Sequence, residues 1–487
     1  MNLKLFIVAA VAIAAGTLAA CKHKPSAAPS QSVGGYPTEI GNIIVTKCAT
    51  AGCHNNLSYS NAASLRLDTW EHMFEGGVNG AAIVPYSVDY SPLLYFINTD
   101  STLGPVAIPT MPLHHAPLST EEYLTIRNWV ANGAPDDNGN IPFASDAGNR
   151  QKVYMTHLRC DMVAVIDADK NVVMRYIPFG TRPVPESGTA VTVSPDGRYA
   201  YVSLWFNDLL YKIDTYTDKV VATFTLPNAF WNAMAISADG STLALTNQDS
   251  HEFIRINTTT GATTTSVSDA AMLNPYSIAG DANFDTCYIA GQFGNAYYKI
   301  TGSQVYPRTV DNRPITHTTT GNSPDPYDLV FSPGREQYFI SCAGTHEVKV
   351  FDRKTDQLVK TISVGKRPRE IAVSTTEPYL FVACMDDDNP NPKCKGSVYV
   401  INYNTLDVVR TIKGKFYQPH TVSVNERDRS FYIFSRNQNY DGPAPHHQGP
   451  CAGRNGFYEV YDMNTMERKV NKRFEVLVDP FASDTRF

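Results

Sequence analysis

The sequence predicts two structural units in one chain of 487 residues: a small all-α domain followed by an all-β propeller of seven blades. A short helical stretch leads to Cys48, and a capping box from Ser119 to Glu122 starts a later helix. Behind this region, similar segments recur every 42 or 43 residues, as between Ser194 and Ser237. Repeats of this length are typical of propeller blades, each of which is a four-stranded sheet.

Residues 1–20 have the pattern of an export signal, with Lys4 before an apolar run at 5–15 that is too short to span a bilayer. The run leads into Leu18-Ala19-Ala20-Cys21, which resembles a bacterial lipobox. That resemblance implies cleavage before Cys21 and a diacylglycerol on its thiol, which would anchor the chain to a membrane. Lys22 follows the cysteine and favours the outer membrane in the better-known sorting systems. An ordinary cleaved signal with a chance cysteine is the alternative.

Residues 37–135 carry three motifs, separated from the signal by a Ser-, Ala- and Pro-rich tether at 21–36. They are Cys48-Ala49-Thr50-Ala51-Gly52-Cys53-His54, then Met111-Pro112, then a helix that ends in Trp129-Val130-Ala131-Asn132-Gly133-Ala134. Together the motifs resemble a small monohaem cytochrome c domain. Four residues separate the two cysteines, where that family usually has two.

The resemblance to cytochrome c implies one covalent haem c. Cys48 and Cys53 would bind the haem vinyl groups, His54 would be the proximal iron ligand, and Met111 would be the distal ligand. His114 and His115 lie close to Met111 in the sequence, so ligation by two histidines is an alternative. Another alternative is that Met111 is a core residue.

A linker rich in Asp, Asn, Gly and Pro at 136–150 leads to the predicted propeller at 151–487. The first blade lacks an inner strand, and the segment 474–480 is predicted to supply it and to close the ring. Tyr201-Val202-Ser203 and Tyr288-Ile289-Ala290 resemble the signature strand of the YVTN propeller family, which implies the fold and little about chemistry. Seven third strands are predicted, at 163–167, 210–214, 254–257, 297–300, 348–352, 398–402 and 458–462.

Two long loops, 384–394 and 435–456, are predicted on the face of the propeller where the inner strands begin. Imidazoles beside guanidinium groups on such a face suit an anionic ligand or a transition metal. Loop packing and turn formation are the alternative. The residues expected to gather there are Arg367, Arg369, His420, Arg436, His446, His447 and Arg454.

Six of the nine cysteines lie outside the lipobox and the haem motif. Export would place the chain in an oxidising compartment, and Cys384 and Cys394 flank one loop, so they are the preferred candidates for a disulfide. We interpret His251 and His346 as turn residues, because histidine is among the residues that tolerate left-handed backbone conformations. The formal charge of −6 argues against a nucleic-acid partner.

These expectations favour an electron-transfer lipoprotein whose propeller docks a redox partner protein or binds a ligand. It would lie at the outer membrane and face the periplasm, with the cell surface as the other possibility. The alternative is a complete oxidoreductase with a substrate or metal site on the propeller face and the haem as electron relay. A third hypothesis is a binding module in which the haem domain is only structural.

Overall fold

The computed structural model describes residues 33–447 and 449–486. The predicted signal at 1–20, the lipidation site Cys21 and most of the tether therefore lie outside the described residues. Across the described part of the chain, no helix has the length and apolar character needed to cross a membrane.

Four short α-helices occupy the first part of the described chain: α1 (Thr38–Lys47), α2 (Trp70–Met73), α3 (Pro92–Ile97) and α4 (Thr120–Ala131). The predicted capping box is present, because the Ser119 side chain accepts from the Glu122 N–H at 3.2 Å and the Glu122 carboxylate accepts from the Ser119 N–H at 2.9 Å. Such a cap stabilises a helix by about 1 kcal/mol. Glu122 also forms an ion pair with Lys47, which ties α4 to the end of α1. We call residues 36–135 the helical region.

The remaining described chain forms seven four-stranded antiparallel sheets arranged as a propeller. The first fifteen strands are β1 (Lys152–His157), β2 (Met162–Asp167), β3 (Val172–Pro178), β4 (Gly188–Val193), β5 (Tyr199–Leu204), β6 (Leu209–Asp214), β7 (Lys219–Thr225), β8 (Trp231–Ile236), β9 (Thr242–Asn247), β10 (Glu252–Asn257), β11 (Thr263–Ser268), β12 (Pro275–Gly280), β13 (Thr286–Gly291), β14 (Ala296–Thr301) and β15 (Gln304–Thr309). The others are β16 (Pro326–Phe331), β17 (Gln337–Cys342), β18 (Glu347–Asp352), β19 (Gln357–Ser363), β20 (Pro368–Val373), β21 (Tyr379–Cys384), β22 (Ser397–Asn402), β23 (Asp407–Ile412), β24 (Pro419–Asn425), β25 (Ser430–Ser435), β26 (Asn455–Asp462), β27 (Phe474–Val478) and β28 (Pro480–Arg486).

The ring closes by one strand later than the sequence predicts. The segment expected to close it, 474–480, mainly forms β27, which is the outer strand of the last blade. The closing strand is β28, which pairs with β1 as the inner strand of the first blade. A sharp break at Asp479 separates the two strands, so an apolar run that reads as one strand serves two blades.

The helical region packs against the side of the propeller, where the first and last blades meet. The Tyr90 ring lies 5.3 Å from the ring of Tyr176 on β3, measured between centroids. On β27, the Glu475 N–H donates to the Asn79 carbonyl at 2.9 Å. Val84 joins the apolar cluster that these two blades share. Since β3 and β27 are the outer strands of their blades, the helical region lies at the rim and not over a channel mouth.

Candidate functional site

A cavity of about 390 Å³ lies between the helical region and one loop of the last blade. Its size falls in the range of small-molecule sites, and its walls are mostly apolar. The four residues that the cytochrome c resemblance singles out, Cys48, Cys53, His54 and Met111, all line it. Apolar residues on the walls include Leu65, Leu67, Ala82, Leu93, Phe96, Ile97 and Leu113.

The two thiols reach the cavity through the end of α1. Cys48 is the C-cap residue of that helix, and its N–H donates to Ile44 O at 2.9 Å. The chain then turns through Gly52, which has a φ of 83°, and returns so that the His54 N–H donates to Cys48 O at 3.1 Å. Both cysteines are free thiols. Burial raises the pKa of Cys48 to about 12, so it is protonated at neutral pH.

Among the residues that the structure describes, one ring nitrogen of His54 has a well-formed hydrogen bond. Its Nδ1 lies 3.0 Å from the carbonyl oxygen of Leu65, a hydrogen bond that places the ring proton on Nδ1 and the lone pair on Nε2. Burial lowers the pKa of His54, which favours the neutral imidazole. A neutral imidazole oriented by a backbone carbonyl is the form in which histidine binds metals in proteins.

Met111 lies on the loop after α3, and its N–H donates to Phe96 O at 2.7 Å. Its partly buried side chain packs against the core of the helical region. His114 and His115, the sequence alternatives to Met111, are exposed and are not among the residues that line the cavity. The structure thus brings Met111, and neither of these histidines, to the same cavity as His54.

His446 and His447 line this same cavity, which the sequence does not predict. The loop that carries them extends outward to the rim beside β27, so the two histidines do not gather with His420 and Arg369 as expected. Glu475 on β27 holds the loop there: its carboxylate accepts from the His446 N–H at 2.5 Å and lies 3.2 Å from His447 Nδ1. Asn455 Nδ2 donates to His447 O at 2.9 Å.

The disulfide also differs from the expected pair. Cys160, between β1 and β2, is bonded to Cys451, in the loop of the last blade. Cys384 and Cys394 are free buried thiols. Cys384 ends β21 inside the core of its blade, packed with the apolar cluster there, so flanking the same loop does not bring the two sulfurs together.

The other residues of the expected propeller face are mostly engaged in structural contacts. Arg367 pairs with Asp386 at 2.7 Å, and Arg436 donates two hydrogen bonds to Asp479, at 2.5 and 2.9 Å. Arg454 donates to the carbonyls of Gly442 and Pro443 within its own loop. The expected set therefore divides between the rim, the loops and the central channel.

His420 and Arg369 lie in the central channel. His420 is fully buried, with Nδ1 2.9 Å from Phe481 O and Nε2 3.0 Å from the hydroxyl of Tyr327. Arg369 stacks over the ring of Tyr327, 4.4 Å from its centroid. Both nitrogens of His420 are thus occupied, which leaves none for a ligand. Within the described ranges, no three His, Cys, Asp or Glu side chains are grouped so that they could hold a metal ion.

His251 and His346 have φ angles of 54° and 63°. These left-handed values confirm that both are turn residues. Sequence reasoning missed Glu475, although it is the single acidic residue in the apolar stretch Phe474–Val478. A buried carboxylate in a strand is rarely without a partner. The acidic residue in this apolar stretch therefore indicates a contact, which the structure shows to be the loop of His446 and His447.

No protein-family model matches the chain, and no curated protein does. Among solved structures, it is similar to hydrazine synthase of Kuenenia stuttgartiensis, with 17% identity over 58% of this chain and 79% of that chain, and a TM-score of 0.44. It is also similar to a functionally unknown protein from Desulfotomaculum acetoxidans DSM 771, with 12% identity over 67% of this chain and 99% of that chain, and a TM-score of 0.49. Similarities this distant carry no argument about the chemistry of this chain. The chain is a seven-bladed β-propeller with a few helices before it.

Proposed function

We propose that this protein is an exported c-type cytochrome that transfers electrons, with its propeller as a platform for a redox partner or ligand. One observation carries the proposal: two free thiols, a neutral imidazole and a thioether line one apolar cavity. These are the groups that hold haem c. Four residues separate the two cysteines, where the family usually has two, so the proposal rests on the cavity that both cysteines share with His54 and Met111.

The residues present fit a covalent haem. Cys48 and Cys53 would form the thioether bonds, and His54 would bind iron through Nε2 while Leu65 O holds its other nitrogen. Leu67, Phe96 and the other apolar walls would exclude water from the bound group. Met111 would be the distal ligand, and a thioether in that position raises the reduction potential. The group itself would supply reversible one-electron chemistry.

We also propose that the protein is a lipoprotein anchored through Cys21 at the outer membrane, where it faces the periplasm or the cell surface. The sequence of the signal supports the anchor. The disulfide between Cys160 and Cys451 supports an oxidising compartment, since disulfides persist in exported proteins and are rare in the cytosol.

The test is production of the full chain in a host that attaches haem c, followed by mass spectrometry under denaturing conditions. We expect the mass of the chain to increase by one haem, and the oxidised and dithionite-reduced spectra to be those of a c-type haem. Replacing Cys48 and Cys53 by Ala should abolish the covalent mass, while C394S, which changes a free thiol elsewhere, should retain it. A wild-type chain without covalent haem would overturn the proposal.

A further inference from the structure

The last blade contributes an imidazole to the cavity of the helical region. His446 lines the cavity and is exposed on the remaining side, which places it at the cavity mouth. Its ring lies 5.3 Å from that of Phe96, measured between centroids. Among the described residues, the backbone N–H of His446 has a hydrogen-bond partner, Glu475, and the imidazole has none.

The loop that presents His446 is held in place by contacts that do not involve the His446 imidazole. Glu475 binds the His446 N–H and the His447 ring, and Asn455 binds the His447 carbonyl. Five residues later, Cys451 is bonded to Cys160 of the first blade. The propeller therefore sets the position of the His446 backbone, while its ring nitrogens have no hydrogen-bond partner within the described ranges.

Among the described residues, the other histidines near the cavity do not combine a position on its wall with two unpaired ring nitrogens. The ring of His447 is turned by 86° from that of His446 and faces Glu475. His114 and His115 are exposed on the loop of Met111 and do not line the cavity. In the part of the chain that the structure describes, His446 is the cavity histidine with no hydrogen-bond partner at either ring nitrogen, whereas Nδ1 is engaged in His54 and in His447.

We propose that His446 is a second distal ligand, which the propeller supplies to the haem pocket and which competes with Met111 for the sixth position on iron. This inference rests on the proposed haem c. Exchange would replace a bond from iron to the Met111 sulfur by a bond to a His446 ring nitrogen. The neutral imidazole brings its own lone pair, so no oxidant or reductant is needed.

The experiment uses the full holoprotein and compares the ferric absorption and electron paramagnetic resonance spectra of four variants. They are M111A, H446A, M111A/H446A and the matched control M111A/H114A, which removes an exposed histidine from the Met111 loop. Covalent haem content and circular dichroism check that each variant has folded. We expect M111A and M111A/H114A to stay low-spin with the signature of two imidazole ligands, and M111A/H446A to become high-spin and to bind added imidazole at least tenfold more tightly.

Two results would overturn the inference: M111A already high-spin, or M111A/H446A with the same spectrum as M111A. Either result with covalent haem present would leave the proposed cytochrome intact. A wild-type chain without covalent haem would instead remove the proposed function on which the inference rests. The two failures are thereby separated.

Discussion

Cys160 of the first blade and Cys451 of the last blade are bonded to each other, although 291 positions separate them in the chain, and their Cα atoms lie 5.6 Å apart. The hydroxyl of Tyr90, from the helical region, lies 3.8 Å from the Cys451 sulfur. One covalent bond therefore connects the two blades at the place where the helical region packs. The same bond holds the loop that carries His446 and His447.

We expect C160S/C451S to lower the free energy of unfolding by about 2–5 kcal/mol, because a disulfide across a long segment restricts the unfolded chain. Chemical denaturation of wild type and variant measures the difference. C394S, which replaces a thiol outside any disulfide, should remain as sensitive to a reducing agent as wild type. A wild type whose stability does not change on reduction would contradict this prediction.

For a holoprotein with the proposed haem c, we expect M111A to have a lower reduction potential than wild type. A thioether favours the ferrous state, and an imidazole in its place does not, so the shift should be a fraction of the roughly 0.8 V that axial ligands control. Protein-film voltammetry measures it. H115A, an exposed change on the same loop, is the control and should leave the potential unchanged; an M111A potential equal to that of wild type would count against Met111 as a ligand.

His420 should act as a structural residue of the channel and not as a ligand. H420A would leave the Phe481 carbonyl without its partner and remove the hydrogen bond to Tyr327, at a cost of about 1–3 kcal/mol in unfolding free energy. The absorption spectrum of the holoprotein should not change. H251N, which keeps a residue suited to a left-handed turn, should stay within about 0.5 kcal/mol of wild type. A loss of bound metal in H420A with unchanged stability would show that the structural interpretation is wrong.

The closing strand β28 should make stability depend on pH through Asp484. Burial raises the pKa of this carboxyl from 3.8 to about 6, while it accepts from the Val193 N–H at 2.7 Å. The folded chain holds the proton more tightly than the unfolded chain does. The resulting stabilisation is complete below pH 3.8 and is lost as the pH rises through 6.

D484N should remove this dependence. Its free energy of unfolding should therefore rise relative to that of wild type between pH 4 and pH 7.5, by at most about 3 kcal/mol. Unfolding by denaturant at several pH values measures the gain. D407N, on the exposed surface, removes one carboxylate without this burial and serves as the control. A difference between D484N and wild type that is constant with pH would contradict the assignment.

The closing strand β28 is a part of the fold that could not be predicted from the sequence. Local pattern is enough to place seven third strands and the helices Thr38–Lys47 and Thr120–Ala131 at or near their observed positions, since caps, apolar periodicity and repeat length act over a few residues. The stretch 474–486 contains two strands with little to separate them in composition. Their assignment to two blades depends on pairing with β26 and with β1, and β1 lies over 300 residues away.

The helices at the start of the described chain, the propeller and the four cavity residues are predictable without a structure, because each follows from motifs or repeats that are local in the chain. Three other features are visible only in the folded molecule: the loop of the last blade extends outward to that cavity, Cys451 bonds to Cys160, and both ring nitrogens of His420 have partners within the channel. All three have one cause. These contacts join residues far apart in the chain, and their partners are selected by ring closure and by the packing of the helical region on the rim.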